Sequence, residues 1–242
     1  MSKQRVIEHL DELIRAASVA DYDAVTDAVR TELAVLCIQE ARKGDFRPEK
    51  KVAPDTLRTQ FLDHLQKHFV DWEDVKTVFD FTKELLTGAR TLAPGRTHPI
   101  AAVVLYATWA EHWLNAILLT RAQKLGRTSL EADAMIRSAR FPDKVGWLWN
   151  MLALPPLDGD HLKKLRTLNS TRNYYLHYRY EGGDPDKLLV GESELAAALV
   201  DIEATVKYAQ TFELDEILAE EVAVASAAFS FDVRTYLLHL HE

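Results

Sequence analysis

The chain has a single cysteine, Cys37, among 242 residues, so no intrachain disulfide can brace it. That suits a reducing compartment, and Cys37 between Leu36 and Ile38 reads as a buried structural thiol. Nine glycines and eight prolines leave little for the many turns of a β-sandwich, and no alternating apolar–polar run marks a strand of useful length. No internal repeat and no glycine-rich phosphate loop is present, which removes the ATP- and GTP-hydrolysing classes built on such a loop. Residues Met1 to His9 contain no apolar run and no signal-peptide pattern, so a cytoplasmic protein is expected. The remaining composition is 48% apolar and 27% charged, a globular balance that excludes disorder.

Basic charge is in the minority, with 29 Lys and Arg against 37 Asp and Glu for a net of −8. The total conceals a division. Residues 181–242 carry 14 acidic and 3 basic side chains, a net of −11, whereas residues 1–180 carry 23 acidic and 26 basic, a net of +3. Within 161–180, Lys163, Lys164, Arg166, Arg172 and Arg179 occur with no Asp or Glu. Local potential, rather than the total, steers a phosphate backbone, so a nucleic-acid partner stays open. The acidic tail is expected to shield that basic segment.

Periodicity and punctuation point to an all-α fold built from helical bundles. Residues 3–17 and 21–43 read as a first helical pair, 55–69 and 72–87 as a second. The segment Gly88–Pro99, with two prolines and two glycines, reads as the domain boundary. It divides an N-terminal helical region, 1–90, from a bundle spanning 99–242 with acidic C-terminal helices. Helices are then expected at 99–125, from Thr128 or Ser129 to Arg140, from Pro142 to Leu154, over 159–180, over 192–210 and within 213–240. Pro99–Thr120 is long and mostly apolar, but Glu111, His112 and Asn115 near its middle favour a buried bundle helix over a membrane span.

Two of these helices place a charge where a core should be. With 159–180 wound at about 100° per residue, Leu165, Leu168, Tyr175 and Leu176 all fall within about 60° of Arg172. Asn173 and His177, spaced i, i+4, share a face at the edge of that stripe. On 99–125, Ile100, Val104, Ala107, Leu114 and Leu118 surround Glu111 in the same way, with Asn115 one turn on. An unpaired buried charge costs several kcal/mol, so Glu111 and Arg172 are expected to meet. A structural salt bridge explains that pair, but it needs neither Asn173 nor His177.

Arginine, histidine and an amide together suit phosphodiester cleavage in which the RNA 2′-hydroxyl is the nucleophile. His177 would move the proton, Arg172 would stabilise charge on the phosphate, and Asn173 would position these groups. No metal or other cofactor is required. One copy supplies one histidine, and a symmetric homodimer would supply two.

The run Arg172-Asn-Tyr-Tyr-Leu-His177 resembles the Arg-x4-His motif of the HEPN superfamily, in which a polar residue often follows the arginine as Asn173 does here. The segment Tyr106–Leu118 is similar to an earlier helix of such domains that often carries a glutamate facing the site, here Glu111. The resemblance covers roughly 99–210. It implies a helical bundle, a metal-independent endoribonuclease of the toxin or antiphage kind, a composite active site at a homodimer interface, and an antitoxin or regulatory protein as a further partner. HEPN toxins paired with nucleotidyltransferase antitoxins carry a tyrosine two residues after the histidine, where this chain has Arg179. Lys163, Lys164, Arg166 and Arg179 are the candidates for guiding RNA to the site. The alternative is a non-catalytic helical module that binds a protein or nucleotide and keeps Arg172–Glu111 as a structural bridge.

Other groups carry less. His64 and His68 share a helical face, but no third ligand accompanies them. Trp109, Trp113, Trp147 and Trp149 are candidates to stack on bases, although Trp109 and Trp113 at helical spacing suit a core or a dimer contact better.

Overall fold

A computed structural model describes residues 9, 12–16, 26–43, 46, 52–70, 82–93, 98–177 and 193–239, the side chains of 68–70 and 177 excepted. Every regular element among them is helical, and the fold is all-α. After a helical stretch at 12–16, the helices are α1 (Asp27–Lys43), α2 (Pro54–Val70), α3 (Thr82–Leu92), α4 (Pro99–Lys124), α5 (Ser129–Ser138), α6 (Phe141–Lys144), α7 (Trp147–Met151), α8 (Gly159–His177), α9 (193–199), α10 (Ile202–Phe212), α11 (Ala219–Phe229) and α12 (Val233–His239). A π-helical turn, Glu213–Ile217, lies between α10 and α11.

The chain forms two compact units, and their boundary differs from the one expected at Gly88–Pro99. The first unit comprises 1–78 with 214–242, the second 79–213. In the first, α11 packs against α1 and α2, and α12 against α1. Leu33, Cys37, Leu57, Phe61, Leu65, Val222, Phe229 and Val233 form its core. Phe61 meets Phe46 edge-on at 5.1 Å and Phe229 at 5.9 Å. The acidic tail is therefore two things. Its earlier part belongs to the second unit, while its last helices complete a core with α1 and α2 that none of them can close alone. Its acids also find local partners: Arg234 grips Asp215 through two hydrogen bonds of 2.5 and 2.7 Å.

In the second unit α4 is the hub, with α3, α5, α6 and α8 packed around it. Residues on nearly all its sides are buried, among them Val103, Tyr106, Trp109, Trp113, Leu114, Ile117 and Leu118. A helix apolar all round belongs inside a bundle. No helix among the described residues is long and apolar enough to cross a membrane. Pro99 occupies the first turn of α4, where a missing N–H costs nothing. Gly126, at φ +83°, ends it with Arg127 N–H donating back to the Ala122 carbonyl at 3.1 Å. Thr128 then caps α5 in a reciprocal box with Glu131.

Gly88 explains the displaced boundary. It lies inside α3, where an added Cβ would stand 3.1 Å from Leu105 Cδ1, so it permits close packing on α4 rather than a break. Arg90 on α3 and Tyr106 on α4 both donate to Glu203 on α10, at 2.6 and 2.5 Å, tying three helices together. The single helix expected over Pro142–Leu154 is two, α6 and α7, separated at Gly146. Likewise 192–210 divides into α9 and α10 at Asp201, which adopts φ +52°.

The turn at Gly146 is crowded. An alanine Cβ there would lie 2.8 Å from the Pro142 carbonyl oxygen, which is backbone and cannot swing aside. Gly146→Ala is expected to cost roughly 1–3 kcal/mol, read as a lower urea midpoint at unchanged slope. An unchanged midpoint would show that the α6–α7 turn has room to relax.

Candidate functional site

The charge on α8 meets the charge on α4. Arg172 Nη1 donates to Glu111 Oε2 at 2.8 Å. Arg172 also donates through Nε and Nη2 to Asn173 Oδ1, at 3.2 and 3.0 Å, so the amide clamps the guanidinium from the adjoining position. Around them, Leu165, Leu168 and Thr171 of α8 are buried against the bundle. The apolar stripe expected on α8 holds for its first turns and fails at its end. Leu176, placed in that stripe by its angle, is 53% exposed, because burial on α8 centres on Leu168 rather than on Arg172.

A third charge joins the pair. Lys144, at the end of α6, donates from Nζ to Glu111 Oε1 at 3.4 Å, so the carboxylate lies between two cations. Lys144 is only 4% exposed, whereas the side chains of Arg172 and Glu111 are 21% and 33% exposed. The sequence reading missed this residue, and the signal it applied elsewhere would have found it. Phe141, Lys144, Val145 and Leu148 follow i, i+3, i+4, i+7 spacing, and all four are buried. A charge again occupies an apolar stripe.

Burial pushes the Glu111 carboxyl upward. The hydrogen bond from Arg172 and the charges of Lys144 and Arg172 outweigh burial, and it rests below its ordinary value of 4.5. Glu111 is therefore a carboxylate at neutral pH, and the triplet carries a net charge of +1. Asn115, one turn beyond Glu111, has a buried Oδ1 with no hydrogen-bond partner among the described residues, as does Trp113 Nε1.

The remaining candidates separate by their environment. Lys163 and Arg166 are exposed on α8. Lys164 is half-buried and donates to the Ala197 carbonyl of α9 at 2.7 Å, which makes it a helix-terminal contact rather than part of an open face. Arg179 and the side chain of His177 lie outside the described residues. The backbone of α8 is helical through His177. By register, positions 163, 166, 170, 173 and 177 follow one another along a single helical face. Lys163, Arg166 and Ser170 of that row are exposed and Asn173 is half-buried, so a basic and polar strip runs down α8 to Asn173, with Arg172 about 100° around the helix from it.

No family model, curated protein or solved structure matches this chain. What the site can do therefore rests on its own geometry.

The weaker candidates resolve as packing. His64 Nε2 lies 3.3 Å from Glu40 Oε2, in a part-buried pair beside Phe46 and Phe61. The side chain of His68 lies outside the described residues. No three His, Cys, Asp or Glu side chains among the described residues group as metal ligands. The Cys37 thiol is pushed up to about 12 by burial and by the charges of Glu221 and Glu40, which makes it a poor nucleophile. Trp109 and Trp113 stack in the core, and Trp149 is buried with Nε1 donating to the Pro155 carbonyl at 2.7 Å. Trp147 is 53% exposed, and it alone of these four offers an open ring.

Removing the carboxylate strands a buried cation. Glu111→Gln is expected to destabilise the protein by about 2–4 kcal/mol, below the top of the range for buried pairs because Glu111 is one-third exposed. A carboxyl held below its unfolded value contributes stability that is complete above that value and lost as acid protonates it. The wild-type advantage over Glu111→Gln should therefore be constant above about pH 5 and shrink below it. Denaturation of both proteins from pH 3 to 7 measures this, and a difference independent of pH would exclude charge as its source.

Proposed function

We propose that this protein is an endoribonuclease that cleaves RNA by attack of the 2′-hydroxyl on the adjacent phosphate. The observation that carries the reading is the Arg172 guanidinium, part-open to solvent and clamped by Glu111 and by Asn173, the residue at which the basic and polar strip on α8 ends. An arginine so oriented suits a phosphate oxygen, and the strip suits the backbone that leads to it. His177 stands one turn beyond Asn173 on the same helical face by register. The likeness of this motif to the HEPN superfamily agrees with the reading.

In the reaction the 2′-oxygen bonds to phosphorus as the bond to the 5′-oxygen breaks. A 2′,3′-cyclic phosphate and a free 5′-hydroxyl result. One proton leaves the 2′-hydroxyl and one arrives at the 5′-oxygen, so a base and an acid are both needed. His177 takes one role, and His177 of a second copy in a symmetric homodimer takes the other. Arg172 stabilises the charge that builds on the phosphate, Asn173 and Glu111 hold it in place, and Lys163 and Arg166 draw in the strand. The internal nucleophile makes a metal unnecessary. A cytoplasmic toxin or antiphage effector is the setting we infer, held in check by an antitoxin or regulatory protein.

A second reading draws on a specific observation. Each guanidinium nitrogen of Arg172 already donates to Glu111 or Asn173, and Lys144 is buried on the same carboxylate. A triplet of that kind also locks helix register in a non-catalytic module that binds a protein or nucleotide.

Incubation of the purified protein with RNA in EDTA separates the two. The first reading expects cleavage to persist in EDTA and to fall about 10²–10⁴-fold in His177→Ala and 10²–10³-fold in Arg172→Ala, with folding checked by circular dichroism. Cleavage equal in wild type and His177→Ala, or absent throughout, would sink it.

A further inference from the structure

Lys144 has no part in the chemistry just described, yet its placement is costly. Its ammonium group has three N–H donors and is almost wholly buried, and among the described residues its one acceptor is Glu111, at 3.4 Å. A buried charge this sparsely bonded is an expensive way to brace a helix. A methionine of similar length would fill the same space without losing hydration. The position calls for a consequence of the charge itself.

The consequence lies in the charge count around Arg172. Glu111 and Arg172 alone would form a neutral pair, and a neutral pair has little to offer a phosphate. Lys144 sits on the other oxygen of the same carboxylate, so Glu111 is shared between two cations and the cluster retains a positive charge. Of the triplet only Lys144 is closed off from solvent, while the side chains of Arg172 and Glu111 are 21% and 33% exposed. Solvent therefore meets the cluster on its Arg172–Glu111 side, and the second cation that keeps it positive is buried behind Glu111. Of the five N–H groups of Arg172, one donates to Glu111 and two to Asn173, which leaves two without an acceptor among the described residues.

We propose that Lys144 is a positioning residue for a phosphate-binding centre at Arg172: it engages Glu111 from the buried side and so leaves the arginine with an unneutralised charge for the RNA backbone. The inference rests on the ribonuclease reading for its ligand, but it makes a separate claim about electrostatics. Lys144 touches no substrate. It acts through Glu111, whose carboxylate would otherwise cancel the charge of the group it orients.

The charge count sets the test. The cluster carries +1 in the wild type, 0 in Lys144→Met, +1 again in the double variant Glu111→Gln with Lys144→Met, and +1 in Lys144→Arg. The probe is a 2′-O-methyl oligoribonucleotide of about ten nucleotides, whose blocked 2′-oxygen prevents this cleavage chemistry and separates binding from reaction. Fluorescence anisotropy over a range of salt concentrations gives affinity and its salt slope. Lys144→Met should bind about tenfold more weakly, with the slope of log affinity against log salt reduced by about 0.7, the value for one contact on a single strand. Lys144→Arg should keep wild-type binding. The double variant should regain most of the lost affinity, although two residues of the cluster have been replaced.

A purely structural lysine predicts the opposite for that double variant, which would bind no better than Lys144→Met. That result would overturn the proposal, as would wild-type affinity and slope in a folded Lys144→Met protein. If Lys144→Met does not fold, the comparison of the double variant with wild type decides: equal slopes support the charge count, and a lower slope overturns it. Absence of binding by the wild type at any salt would overturn the RNA reading and this inference together, whereas a failure confined to the variants overturns this inference alone.

Discussion

A carboxylate inside the most buried helix of the second unit must be paid in partners, and Glu111 has two. Arg172 from α8 and Lys144 from α6 take one oxygen each, so three helices are held in register by one side chain. Hydrophobic packing along α4 is non-directional and would tolerate small slides of its neighbours. The ion triplet would not, because a shift of one residue would leave at least one charge buried and alone. Glu203, gripped by Arg90 and Tyr106, does the same for α3, α4 and α10. Two carboxylates thus fix the arrangement that apolar burial stabilises.

The same constraint shapes what the site offers. Glu111 holds Arg172 in place, and those two alone would be a neutral pair. Lys144 shares the same carboxylate from a position solvent barely reaches, which leaves the three together at a net +1. On the open side, the strip from Lys163 through Arg166 to the half-buried Asn173 lies on the face of α8 turned from Leu165 and Leu168. Arg172 stands on the buried side of α8, near Leu168, and from there reaches Glu111 of α4.

Much of this was legible without coordinates. The stripe on 99–125 with Glu111 in its middle, the stripe on 159–180 with Arg172, and the necessity of their meeting follow from helical period and the cost of an unpaired charge. The capping box at Thr128 and the glycine stop at Gly126 are equally local. Three features resisted. Gly88 reads as a breaker because glycine ends helices, yet here it admits Leu105 at close range, a demand set by a different helix. Leu176 falls in a stripe drawn around Arg172, whereas burial on α8 centres on Leu168. Lys144 shares an apolar spacing with Phe141, Val145 and Leu148, but that it meets Glu111 is set by how α6 packs on α4.

Sequence alone determined the all-α class, the central apolar helix, and a charge of each sign placed within an apolar stripe, because these depend on residue type and spacing along one helix. Only the tertiary structure decided that Glu111 serves two cations and that Lys164 bonds the last turn of α9. It likewise decided that the last helices share a core with the first ones. Each of those depends on which surfaces meet across long stretches of chain, and local periodicity states that a face must be covered without stating by what.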